Sequence, residues 1–254
     1  MSKKVSLSIV VITKNESERL EDCLKSASWV DDLIVVDDFS IDQTAKLAKK
    51  YTDRVYERRM DIEGRHRNYA YSLAKNEWVF SLDADERITD ELREEITHLL
   101  RKDIKHVVFT VPIKTFIGNK WVRHGGWYPG RKVRLFRKDK FKYEEVKVHP
   151  RVFYKGSCGH LRSPLLHYSY KNFHEFIESL NNQTTLEAEK WFDEKRRIGV
   201  GKALRKTCDR FLKAYILKKG FLDGLTGLIF AMAGGLYQIF SYAKYQEMLK
   251  KIKY

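Results

Sequence analysis

Cysteine is scarce in this chain. Three residues, Cys23, Cys158 and Cys208, lie far apart in 254 positions. Their number is odd and no Cys-x-x-Cys occurs, which argues against a zinc cluster or a disulfide framework and fits a reducing cytosol. Glycine-rich phosphate loops are missing too: there is neither a Gly-x-Gly-x-x-Gly nor a Walker loop. Phosphate must then be held some other way, and a divalent metal is the natural substitute. Low-complexity segments and internal repeats are absent, which argues against arrays and solenoids. The apolar run after the first lysines is too short for a signal peptide and has no small-residue cleavage site, so it reads as a first strand. Acids are few toward the C-terminal end. From Lys195 onward fourteen Lys and Arg face three Asp and Glu, a surplus of eleven out of the net +15, which leaves +4 for the first 194 residues. Such a tail favours an anionic surface.

What is present is a globular composition, 43% apolar and 13% aromatic. It suits one large domain, or one domain with an appendage. LSIVVIT (7–13), DLIVVDD (32–38), RVYERR (54–59), EWVFSLD (77–83) and HVVFTVPI (106–113) have the length and β-branched content of strands. Between them, 16–28, TAKLAKKY after a Ser40-x-x-Gln43 capping box, 64–76 and DELREEITHLLRK behind Thr89 read as helices. Strands apolar on both faces, alternating with helices, predict a mostly parallel sheet covered by helices, a Rossmann-like α/β unit. Ligands of such sheets gather at the carboxyl ends of the strands. Three of these ends carry polar clusters: Thr13-Lys14-Asn15-Glu16, Asp37-Asp38 and Asp83-Ala84-Asp85. Asp83 and Asp85 offer hard oxygen ligands suited to Mg²⁺ or Mn²⁺. Glu86 is read as starting the next turn, with no catalytic role.

VVITKNE, IVVDDFSIDQT, GRHRNYA and WVFSLDADE follow one another at spacings that resemble a family 2 glycosyltransferase of the GT-A fold. WVRHGGWYPGRKVRLFRK, YEEVKVH and LLHYSY extend the resemblance toward the bacterial branch that includes lipopolysaccharide-core glycosyltransferases. The resemblance implies a GT-A catalytic domain over 1–170, with a nucleotide-binding half (1–105) and an acceptor half (106–170), followed by a basic, amphipathic helical extension over 171–254. It also implies inverting transfer from a nucleoside-diphosphate sugar, a UDP-sugar, to a cell-envelope glycan or glycolipid.

Site roles follow from the same resemblance. Thr13, Asn15, Glu16, Asp37, Asp38, Arg67 and Asp83 match positions that hold the nucleotide sugar. Asp85, Asp83 and His167 match metal ligands for Mn²⁺ or Mg²⁺. The base is open between Glu145, Glu144 and His149, because Pro150 stands where relatives carry an acid; a paired carboxylate would raise one pKa and suit a base. Arg123, His124, Trp127, Arg131 and Arg134 are expected at the diphosphate and acceptor, with Gly125-Gly126 allowing a mobile loop.

Two other classes compete. A nucleotidyltransferase would carry a glycine-rich loop, and VVITKNESE has no glycine. A basic RNA-binding module would carry its charge on the sheet domain. The charge lies instead in the last helices beside Gly224–Ala243, which is free of charged residues, so lipid is favoured over nucleic acid. Four glycines and Gln238 in that run favour an interfacial helix over a span, and a buried helical hairpin is the plain alternative. The expected location is peripheral, on the cytoplasmic face of the bacterial inner membrane.

Overall fold

The structure, a computed structural model, describes residues 6–146 and 150–251. The chain alternates β1 (Leu7–Thr13), α1 (Leu20–Ala27), β2 (Asp32–Asp37), α2 (Thr44–Ala48), β3 (Val55–Glu57), α3 (Glu63–Ser72) and β4 (Trp78–Asp83). It continues through β5 (Glu86–Ile88), α4 (Asp90–Leu99), β6 (Val108–Ile117), β7 (Lys120–Val122), β8 (Gly130–Arg137), β9 (Phe141–Tyr143), β10 (Val152–Tyr154), β11 (Cys158–His160) and β12 (Leu165–Tyr170). The last helices are α5 (Phe173–Asp193), α6 (Val200–Leu212) and α7 (Gly224–Lys251).

Two compact units form. The first comprises the described residues up to Ile113 together with Arg131–His167. Its strands run in the order β3-β2-β1-β4-β8-β6-β12-β5. β1, β2, β3 and β4 are mutually parallel, while β8 is antiparallel to β4 and β12 to β5. The period of two decides the packing. Leu7, Ile9 and Val11 of β1, with Phe80 and Leu82 of β4, meet α1 and α4 on one face. Val10, Ile34 and Val79 meet Ala70 and Tyr71 of α3 on the other. The chain winds outward from β1 to β3 and then returns to β4, so the carboxyl ends of β1 and β4 flank the switch in direction where α/β sheets hold ligands.

The helix starts sort themselves by available partners. Thr89 caps α4, its hydroxyl accepting from the Leu92 N–H. The expected Ser40–Gln43 box does not form. Gln43 makes no side-chain cap, and Asp42 accepts from the Thr44 and Ser17 N–H groups. Ser40 is engaged instead by Asp37, to which its N–H and hydroxyl donate, and by the Asn15 N–H, from which its hydroxyl accepts.

The second unit comprises Lys114–Gly130 and the described residues from Tyr168 onward. The border between the compact units falls at 167/168, and 114–130 clusters with the helices. Phe176 of α5 stacks on Phe230 of α7 with ring centroids 4.5 Å apart. Lys244 of α7 donates to Asn181, Thr184 and Thr185 of α5. α6 joins α7 through a π-helical turn at 213–217 and a 3-10 turn at 220–223. Gly227 lets the α7 backbone touch Gly220, where a Cβ would lie 1.8 Å from the carbonyl oxygen.

Candidate active site

The register brings the three polar strand ends level: Thr13 lies beside Asp37, and Ile12 beside Asp83. They border a cleft of about 220 Å³ lined by Ile12, Thr13, Lys14, Glu16, Asp38, Met60, Asp83, Ala84 and Asp85. The Thr13 hydroxyl is buried and has no partner, a polar atom available to a ligand. Asp38 accepts from Lys14 Nζ at 2.7 Å and from the Met60 N–H at 2.9 Å. Burial pushes the Asp38 carboxyl up, but Lys14 and Met60 outweigh it and leave it below its ordinary value. Asp37 does not line this cleft: both of its oxygens hold Ser40. Asn15, at φ 52°, accepts from the Ile41 N–H and ties the same turn. Glu16 pairs with Arg19.

Asp83 leaves the end of β4 between two guanidiniums. Arg67 Nη1 donates to Oδ1 at 3.1 Å, and Arg134 Nη2 to Oδ2 at 2.7 Å. Burial alone would raise this carboxyl; Arg134 and Arg67 hold it well below the carboxylate range. Arg134 was expected at the diphosphate or acceptor. It is instead 2% exposed and directed at Asp83 and Glu86. Glu86 lies not in a turn but in β5, fully buried, where burial pushes its carboxyl up.

Asp85 stands on the cleft wall with Oδ2 3.1 Å from His167 Nε2. Among the described residues no group of three or more His, Cys, Asp and Glu side chains is arranged to hold a metal ion. A carboxylate and an imidazole are nevertheless a fitting protein share for Mn²⁺ or Mg²⁺, which complete their shells with water and substrate phosphate. Asp83, with both oxygens given to arginines, is the weaker donor.

The base candidates lie around β9 and β10. Glu144 makes a two-pronged pair with Arg151. Glu145 is exposed beside Lys142 at 3.1 Å and Arg65 at 3.5 Å. Lys142 above all lowers its pKa, so the expected upward shift from pairing the two glutamates does not occur. His149 lies outside the described residues.

The basic-aromatic cluster is divided. Arg131, in the first unit, is exposed and donates to the Leu161 carbonyl at 2.9 Å. Arg123, His124 and Trp127 belong to the helical unit. Asp223 accepts from the Arg123 and His124 N–H groups and lies 2.6 Å from His124 Nδ1. Gly125 donates to Lys218 at 2.9 Å, and Trp127 packs edge-on against Phe230. The glycines supply φ of 68° and 91°, but this loop is tied down rather than loose.

Sequence reasoning missed Met60, Ala84 and Ile12 on the cleft wall, and Glu86 beneath it. Lys14 had a signal, since it directly follows Thr13 at a strand end; Met60 had none.

Known proteins resemble this chain along its whole length. The chain is 29% identical over 261 residues to the "Lipopolysaccharide core biosynthesis glycosyltransferase LpsC" of Rhizobium meliloti (strain 1021), covering 100% of this chain and 97% of the relative. It is 23% identical to "Uncharacterized glycosyltransferase RP128" of Rickettsia prowazekii (strain Madrid E), over 96% of this chain and 86% of that one. Among solved structures, S. aureus TarS 1–349 in complex with UDP aligns with a TM-score of 0.49 at 15% identity, covering 98% of this chain and 92% of that one. The family model described as "Glycosyl transferase family 2" matches residues 8–161, more than half of the sequence, and the chain therefore belongs to glycosyl transferase family 2.

Proposed function

We propose that the protein moves a sugar from a UDP-sugar to a hydroxyl of a cell-envelope glycan or glycolipid, with inversion, in the manner of a lipopolysaccharide-core glycosyltransferase. The observation that carries this reading is the cleft at the β1/β4 switch, which gathers Thr13 with its unpartnered hydroxyl, Lys14, Asp38 and Asp85. The acceptor class rests on the full-length likeness to LpsC.

Thr13 and Asp38 would hold the nucleoside; a carboxylate accepts from base N–H or ribose hydroxyl groups. Asn15, Glu16 and Asp37 build the turns around them. Asp85 and His167 would hold Mn²⁺ or Mg²⁺, which when bound supplies Lewis-acid neutralisation of the departing diphosphate. The acceptor oxygen forms the new bond at the anomeric carbon as the bond to the diphosphate breaks, and the acceptor proton passes to a carboxylate. Glu145, kept ionised by Lys142 and Arg65, is the base assigned here. Calorimetry with UDP and Mn²⁺ tests the donor site. Wild-type protein is expected to bind UDP more tightly with Mn²⁺, and Asp85→Asn to lose that gain. An undiminished gain in the variant overturns the metal assignment.

The helical unit is assigned to an anionic membrane surface. The helix over 220–250 is long and apolar enough to cross a membrane by length and composition, but 44% of its most apolar stretch is buried. Phe230, Ala233 and Tyr245 of α7 are spent inside the protein. Exposed apolar side chains cluster at the α6–α7 connection, Leu212, Ile216, Leu217, Phe221, Leu222 and Leu225, and continue along the two helices at Leu204, Met232, Leu236 and Phe240. The cluster adjoins an apolar groove of about 360 Å³ between α6 and α7. Lys202, Arg205, Lys206, Arg210, Lys213, Lys218 and Lys219 accompany it, with Asp209 and Asp223 the only acids from 198 to 246. A second copy would bring the same charge and be repelled; an anionic leaflet gains about 1 kcal/mol per cation near its surface.

A further inference from the structure

We propose that Glu86 is a positioning residue of the donor site, fixing the Asp83-Ala84-Asp85 turn through the Asp83 backbone and Arg134. Its two oxygens are divided between two donors. Oε2 accepts from the Asp83 N–H at 3.0 Å, and Oε1 from Arg134 Nη2 at 2.5 Å. The same Nη2 donates to Asp83 Oδ2 at 2.7 Å. A closed ring results: Asp83 backbone, Glu86, Arg134, Asp83 side chain. It determines both where the turn leaves β4 and which way the Asp83 carboxylate faces.

The burial of Arg134 points to the same residue. Arg67 and Arg134 both reach Asp83; Arg67 also holds Glu63 at 3.0 Å, whereas Arg134, buried, would otherwise have only its share of Asp83. Glu86, with no exposed surface, is the anion that completes the pairing of Arg134. A buried ion needs compensation and filled hydrogen-bond positions, and a neutral amide cannot supply two anionic acceptors to an N–H and a guanidinium at once. The strand pairing extends the reach of Glu86, because in the β5/β12 ladder its partner is His167, the residue that faces Asp85. Glu86 therefore joins the Asp83 end and the His167 end of the cleft wall while touching no ligand itself.

This inference rests on the donor-site reading above, and its test separates the two. Full-length wild type, Glu86→Gln, and Glu86→Met combined with Arg134→Met are compared by calorimetry with UDP, with and without Mn²⁺, by electron paramagnetic resonance with Mn²⁺ alone, and by circular dichroism. Glu86→Gln is expected to stay folded, to bind Mn²⁺ about tenfold or more weakly, as loss of groups that orient metal ligands generally does, and to lose the Mn²⁺-dependent gain in UDP affinity. Metal-free UDP binding, which leans on Thr13, Lys14 and Asp38, is expected to change less; a general folding lesion would lower both. The double variant removes both buried charges together, which spares the fold better than removing one, and is expected to bind Mn²⁺ as weakly. Folded variants with wild-type Mn²⁺ affinity overturn the proposal, as does failure of both variants to fold, which would make Glu86 a stability residue. A wild type that binds no UDP with Mn²⁺ overturns the donor-site reading instead.

Discussion

Gly64→Ala is the most demanding perturbation of the site that leaves its chemistry untouched. Gly64 is buried in the first turn of α3, and a Cβ there would lie 1.8 Å from the Glu144 carbonyl oxygen, 2.8 Å from its carbon and 3.3 Å from Glu145 Cα. Two effects oppose each other. Alanine favours a helix over glycine by up to about 1 kcal/mol. Overpacking against backbone costs about 1–3 kcal/mol. The contact is with main chain, which cannot rotate away as a side chain can, so the second effect wins by about 1–2 kcal/mol, or a Tm drop of roughly 2–8 °C at this chain length. Relief requires 144–145 to move outward by about an ångström, carrying the base candidates with it, and misplacement of that size can cost on the order of 100-fold in rate. Gly201, with nothing within 4 Å of its Cβ position, is the control, and Gly201→Ala is expected to raise Tm slightly. The assays are thermal unfolding and Mn²⁺-dependent UDP-sugar turnover. A Gly64→Ala protein with a Tm at or above wild type and full turnover would refute the reasoning.

Three further outcomes are expected. Asp42 is an exposed residue; the upward push of burial on its carboxyl is outweighed by the Thr44 and Ser17 groups, which hold it at about 2, so its folded pKa lies below the unfolded value. Its contribution is therefore complete above about pH 4 and lost as pH falls toward 2. Asp42→Asn should lower Tm at pH 7 and converge with wild type in acid; a constant difference across that range would contradict the assignment. Lys244→Met leaves Asn181, Thr184 and Thr185 without their shared donor and should cost about 1–3 kcal/mol by denaturant unfolding; no change in midpoint would count against the α5–α7 lock. Leu217→Glu with Phe221→Glu should abolish sedimentation with anionic vesicles while leaving UDP binding intact, and retained sedimentation would move the membrane contact elsewhere.

The parts of the fold that could be read directly were those decided locally. β1, β2 and β4 show their apolar period within seven residues or fewer, and Thr89 caps α4 three residues away. Asp83 and Asp85 were recognisable because they end such a strand. The rest was decided by partners distant in sequence. Ser40 abandoned its helix for Asn15, 25 residues back. Glu86 looked like a turn acid because Arg134, which makes its burial tolerable, lies 48 residues on. His124 looked like a substrate contact because Asp223 stands 99 residues away.

The Asp223 tie has a consequence for recombination between relatives. Residues 118, 123, 124 and 125 bond to partners at 170, 218 and 223, so a chimera cut once, near 168, would pair a loop from one parent with an anchor from another. The exchangeable block is discontinuous: 114–130 and 168–254 must be inherited together, with junctions at 113/114, 130/131 and 167/168.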